Sequence, residues 1–269
     1  MRIGILISLL AVAVGITAWT AVHRHRETLW LRAYRDAKDS LQRGHYKDAE
    51  GQLRTILADN KLPGEHESAL TMNLLAIVYK VQGRRKEAEP LFDQVIPIFA
   101  KEGASSDLDL GKACTNEGRM YLEEGRLEEA EHRLDQAIAI YKAKPDLAGV
   151  EYGAALHNLG LVRIGQKRLP EGQALLEQAV QIYAKYLSPD DLNMAQGYLD
   201  LAVAYRMGGR MEQAQEMDRN ALKIQEKVFG VDSPTARETR ARLEEKPESK
   251  PLQSARGAGK SATAPGKSN

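Results

Sequence analysis

Between Gly118 and Tyr141 the apolar residues fall at helical steps. Ala130, Leu134, Ala137, Ile138 and Tyr141 make one face of a 3.6-residue period. The polar break Glu124-Gly125-Arg126 separates this helix, which starts near Leu127, from the end of an earlier one. The stretch therefore predicts two amphipathic helices joined by a tight turn. Neither helix can bury its apolar face alone, so the hairpin is a unit that needs neighbours.

The same pattern returns every 42 residues. Ile98, Ile140, Ile182 and Ile224 keep that spacing, as do Ala88, Ala130, Gly172 and Ala214. Tyr79, Tyr121, Arg163 and Tyr205 form a third column, and Ala137, Ala179 and Ala221 a fourth. Ala49, 39 residues before Ala88, marks an earlier and shorter-spaced copy. The chain is thus read as an all-α solenoid of five hairpins, at about 28–62, 67–100, 109–142, 150–186 and 192–228. Their turns fall at Arg43-Gly44-His45, Gln82-Gly83-Arg84 and later equivalents, with Pro145 and Ser188-Pro189 between hairpins. Pro97 is expected to kink or end its helix. A last helix, 234–245, has Ser233 as N-cap and Pro234 at its first position, and it covers the final apolar face.

The two ends break the pattern. Ile3 to Val22 is a run of 20 residues without a charge, long enough at 1.5 Å per residue for a membrane core of roughly 30 Å. Trp19 suits an interface position. A cleaved signal is the alternative, but cleavage after Ala21 or Ala18 would put Trp19 or Ile16 where a small residue belongs. Residues 1–24 are accordingly read as a transmembrane anchor. Arg24, Arg26, Arg32 and Arg35 after the run place the repeats on the cytoplasmic side, with the exported side as the alternative. At the other end, residues 246–269 have almost no apolar content and are read as a disordered basic tail.

Charge narrows the partners. The net charge of +1 conceals basic ends, with six basic against two acidic residues in 1–38 and five against one in 246–269. The repeats between them are net acidic by seven, which argues against a nucleic-acid groove. Cys114 stands alone, so there is no internal disulfide or cysteine metal cage, and its place on a packing face predicts an inert buried thiol. No HExxH, GxGxxG, Walker-type loop or nucleophile elbow occurs, and Asp107-Leu108-Asp109 lacks the rest of a calcium loop. The reading is a non-enzyme with no cofactor, no metal and no small-molecule substrate.

The columns resemble the tetratricopeptide repeat (TPR) family, and the 42-residue spacing resembles its kinesin light chain subtype. Leu75-Ala76 with Tyr79 precede Ala88, Phe92 and Val95, and Gly118 with Tyr121 precede Ala130, Leu134 and Ala137. Leu159-Gly160 precede Gly172, Leu176 and Ala179, and Leu201-Ala202 with Tyr205 precede Ala214 and Ala221. Glu87–Phe92 and Glu226–Pro234 look especially like that subtype. Arg163, Lys167, Glu117 and Asp218 depart from the pattern and should loosen packing locally. The resemblance implies a right-handed superhelical solenoid that binds peptides along its concave face. The position before the Leu-Gly/Ala pair would point into that groove, giving Leu74, Asn116, Asn158 and Asp200, with Asn73, Lys80, Arg119, His157 and Arg206 beside them. The function implied is a membrane-anchored scaffold holding a peptide or helix of a partner protein. An assembly or chaperone-like factor for a membrane complex is the alternative, and homo-oligomers are allowed.

Overall fold

The computed structural model describes residues 2–59 and 62–244, with side chains of 2–15 and 145–147 left aside. Every regular element among them is helical: α1 (Arg2–Gln42), α2 (Tyr46–Ala58), α3 (Glu65–Val81), α4 (Arg85–Glu102), α5 (Asp107–Glu123), α6 (Leu127–Ala143), α7 (Pro145–Gly165), α8 (Leu169–Tyr186), α9 (Leu192–Met207), α10 (Met211–Phe229) and α11 (Pro234–Glu244). A 3₁₀ turn, Gly103–Ser105, lies between α4 and α5. Helices pair as successive hairpins, and each second helix also packs on the first helix of the next pair. The core runs as one cluster through the first four hairpins, with two smaller clusters where the fourth and fifth meet. Leu53, Phe92, Phe99, Leu134, Tyr141 and Leu176 fill it. These are the apolar-stripe positions of α2, α4, α6 and α8, buried because both neighbouring hairpins press on them.

Each hairpin turn repeats one chemistry. Gly44, Gly83, Gly125 and Gly209 have φ between 74° and 77°, the left-handed region that ends a helix. In the last three the next residue is an arginine whose N–H reaches back five residues: Arg84 to Tyr79, Arg126 to Tyr121 and Arg210 to Tyr205, each at 2.9 Å. The guanidinium then lies over that tyrosine ring, at 4.3, 4.1 and 4.3 Å from the centroid. A cation–π contact thus replaces the apolar contact that usually closes such a turn. The arginines also bridge repeats, Arg84 to Glu50 at 2.6 Å and Arg126 to Glu89 at 2.9 Å.

The fourth hairpin departs from this scheme. Lys167 holds φ 65° where the others have glycine. Arg163 replaces the tyrosine and bonds Glu131 of the preceding repeat, which also accepts from Gln166 at 2.5 Å. The expected local loosening is thus met by an ionic joint. Lys167→Gly is expected to raise stability by about 1 kcal/mol, the strain of a β-carbon in the left-handed region, with no loss of helix content. Chemical denaturation followed by circular dichroism checks this, and an unchanged or lower midpoint would refute it.

The anchor reading is corrected. Among the described residues no helix is long and apolar enough to cross a membrane, so the single-pass assignment and the choice of side that followed from it fall. The apolar run does not form a separate element, because α1 continues without a break to Gln42 through Arg24, Arg26 and Glu27. From Trp30 onward the helix serves the array. Trp30 Nε1 donates to Thr71 Oγ1 of α3 at 3.0 Å, and Ala37 is fully buried. Residues 3–15 of the run lie outside the described side chains, and 246–269 outside the described residues.

Pro97 does not end its helix either, since α4 passes through both Pro90 and Pro97 to Glu102. Phe92, Val95, Ile96 and Phe99 between and beside them are buried, and that packing outweighs the lost hydrogen bonds. At the far end, Ser233 Oγ accepts from the Ala236 N–H at 3.4 Å, the N-cap expected for α11. Cys114 is buried, and burial pushes its thiol up to about 11.

Candidate functional site

The first helices α5, α7 and α9 line one side of the array, and between them runs a cleft of about 580 Å³. Arg119, Leu122 and Glu123 come from α5, His157, Asn158 and Leu161 from α7, and Asn193, Gln196 and Asp200 from α9. Translation by one repeat explains the convergence. Asn158 and Asp200 are 42 residues apart, so the solenoid sets them on matching turns of neighbouring helices. Tyr183 of α8 closes the cleft from behind, its ring 6.3 Å from that of His157.

Polar atoms in the cleft are ordered by one another. Asp200 Oδ2 accepts from Gln196 Nε2 at 2.9 Å and meets His157 Nε2 at 2.8 Å. Glu123 takes Arg119 Nε at 3.1 Å on one oxygen and Arg85 at 3.2 Å on the other. Burial pushes the Tyr183 hydroxyl well above its usual range, so it stays a neutral donor. The surface is thus an apolar floor with hydrogen-bonding amides and fixed charges along its rim. Nothing in it pairs a nucleophile with a base, and among the described residues no His, Cys, Asp and Glu group could hold a metal ion.

Arg119, His157, Asn158 and Asp200 are brought together by the fold. Lys80 lies one repeat toward the N-terminus, 8% exposed, its Nζ donating to Asn116 Oδ1 at 3.3 Å. Burial lowers its pKa to about 8, with Arg119 adding repulsion. Asn73 is buried in the same helix, α3, with Oδ1 lacking a partner. Leu74 is buried as core. Arg206 does not join the cleft. Its guanidinium goes instead to Asp218 of α10, which is fully buried in the fifth hairpin.

Among the described residues Asp218 and Glu117 are the fully buried acids, and each has drawn an arginine. Arg133 Nε approaches Glu117 Oε2 to 2.6 Å, too far off line for a hydrogen bond, while Oε1 accepts from Tyr121 at 2.8 Å. Sequence reasoning missed Leu122, Leu161, Tyr183, Asn193 and Gln196. Leu161 was findable, since it is Arg119 moved on by one 42-residue step. Tyr183 was not, because it reaches the cleft from a second helix.

A second, more apolar cleft of about 410 Å³ lies at the other end, between α1 and α2, lined by Val22, Leu29, Trp30 and Ile56 among others.

The tetratricopeptide repeat model matches residues 67–143 and 151–227. A crystal structure of the Podosopora anserina kinesin light chain with nearly identical TPR-like repeats is similar with a TM-score of 0.56 at 27% identity, covering 74% of this chain and 95% of that one. BtubC (BKLC) from P. vanneervenii gives a TM-score of 0.59 at 17% identity, over 90% of this chain and 97% of its own. The Rap protein complexed with Competence and Sporulation Factor gives 0.63 at 14% identity, over 80% of this chain and 64% of its own. At those identities the last two show likeness of fold alone. No curated protein matches significantly.

Proposed function

Because this chain belongs to the tetratricopeptide repeat family, we propose that it is a protein–protein interaction scaffold whose concave cleft holds a peptide or helix of a partner. The observation that carries the reading is the cleft across α5, α7 and α9, with Arg119, His157, Asn158 and Asp200 on its walls. Its size falls within the roughly 300–1,000 Å³ of ordinary ligand sites. A bound extended chain offers an N–H and a C=O at each residue. The amides of Asn158, Asn193 and Gln196 can each donate and accept, which suits holding a backbone of varied sequence. Leu122 and Leu161 supply apolar contact for side chains between those polar points.

The test is photo-crosslinking from Gln196, which is exposed and lines the cleft, against Glu212, which is exposed on α10. Gln196 is a better site than Asn158, whose burial would make a bulky crosslinker disturb packing. The expected result is one partner captured from Gln196 and absent from Glu212, with the captured segment competing as a synthetic peptide. Equal capture at both positions would remove the cleft from consideration and redirect attention to the outer face.

A further inference from the structure

Charge pairing along the concave face is nearly complete. Glu123 is shared by Arg119 and Arg85. Lys112 stands 3.9 Å from Glu151. Arg206 is spent on Asp218. Lys80 and Asp200, of opposite sign, stand outside this scheme, as does Asp109, whose one ion-pair partner is His66 at 3.9 Å.

Lys80, in the second hairpin, has only the neutral Asn116 amide as its partner, and among the described residues no carboxylate lies within ion-pair distance of it. Glu123 attracts it only from further away and is already held by two arginines. Asp200, in the fifth hairpin, has Gln196 and His157 as its partners, and among the described residues no Lys or Arg stands within ion-pair distance. Its side chain is 22% exposed. A half-desolvated charge without a fixed counter-charge is costly, and a ligand group of opposite sign offsets that cost. Such pairs also interact more strongly in a sheltered groove than at an open surface.

We infer that the groove binds its partner segment in one direction, with an acidic side chain at Lys80 and a basic side chain at Asp200. The stretch between them lies over Leu122 and Leu161. The inference rests on the cleft being the binding surface and adds to it the class of segment held: a zwitterionic strand with an apolar middle. Opposite charges at the two ends make the two directions of binding unequal in energy.

The probe is a random-peptide display library panned against the full chain, with Gln196→Trp as a variant that blocks the cleft. Selected peptides that lose binding to that variant are then resynthesised with the acidic or the basic residue changed to glutamine. Each change is expected to weaken binding about tenfold, or about 1.4 kcal/mol. Lys80→Met should abolish the effect of changing the acidic residue only, and Asp200→Asn the effect of changing the basic residue only. Both replacements keep side-chain volume, and circular dichroism verifies that the variants fold. Cleft-dependent peptides without opposite charges, or charge changes that do not couple to these two positions, would overturn the polarity and leave the cleft as a binding site. If no selected peptide depends on the cleft, the binding surface and the polarity fail together.

Discussion

Replacing Arg133 with alanine is expected to lower the stability of the array by about 3–5 kcal/mol. Glu117 is fully buried in the third hairpin, where a large apolar side chain fits the repeat, and Arg133 is the cation beside it. Removing the arginine leaves a carboxylate in the core with only the Tyr121 hydroxyl at 2.8 Å. Arg133 is itself 22% exposed, so water entering its place holds the loss toward the lower figure. The double change Arg133→Ala with Glu117→Leu should recover most of it, because it replaces a buried ion pair by packing. Urea denaturation of the single and double variants measures both, and equal losses in the two would refute the account.

The same site has a pH signature of definite sign. Burial raises the Glu117 carboxyl above its ordinary value of 4.5, more than Arg133 and Tyr121 lower it. The folded chain then holds that proton more tightly than the unfolded chain. Its penalty is in force above the raised value and disappears as pH falls through that value toward 4.5. Arg133→Ala should raise the carboxyl further, so the variant's stability deficit should shrink on acidification. Glu87 and Glu131 act in the opposite sense. Their arginine partners, with Gln166 at Glu131, hold them below the usual range, and their contribution is lost as acid protonates them. A deficit that stays constant with pH would show that Arg133 acts by packing alone.

Gly172→Ala is expected to destabilise the fourth hairpin by about 1–3 kcal/mol, although alanine stands in that column at Ala88, Ala130 and Ala214. A β-carbon at Gly172 would lie 2.6 Å from the Gly160 carbonyl oxygen and 2.5 Å from Ile164 Cγ1. The first of these is backbone and cannot swing aside. Where glycines face each other across α7 and α8, the helices have come too close for any side chain there. The ordinary gain from alanine in a helix, about 1 kcal/mol over glycine, does not offset a clash that must push two helices apart. Thermal melts of Gly172→Ala beside Gly51→Ala separate the two terms, because a β-carbon at Gly51 meets nothing within 4 Å. A midpoint that rises in both variants would refute the close-packing account.

The residue pattern was enough to read the array. Helical periodicity and turn glycines are properties of contiguous residues, so the hairpins and the 42-residue columns were legible without coordinates. The inert burial of Cys114 followed from its place on an apolar face. So did the convergence of Asn158 with Asp200, because translation along a repeat carries a position on one helix to its equivalent on the next.

What a polar side chain does on that frame was decided by tertiary structure. Lys80 and Arg206 occupy the same column, a whole number of 42-residue steps apart. Yet Arg206 turns to a buried acid on α10, and Lys80 rests on an amide of α5. Core residues are placed by area removed from water, which is non-directional and readable as a pattern. Ion pairs depend on distance and angle to groups far along the chain, so they appear only once the helices are packed. The anchor reading failed for the same reason. An apolar run alone does not say where its helix ends, and α1 passes from that run directly into the first hairpin, where Thr71 and the buried seam claim it.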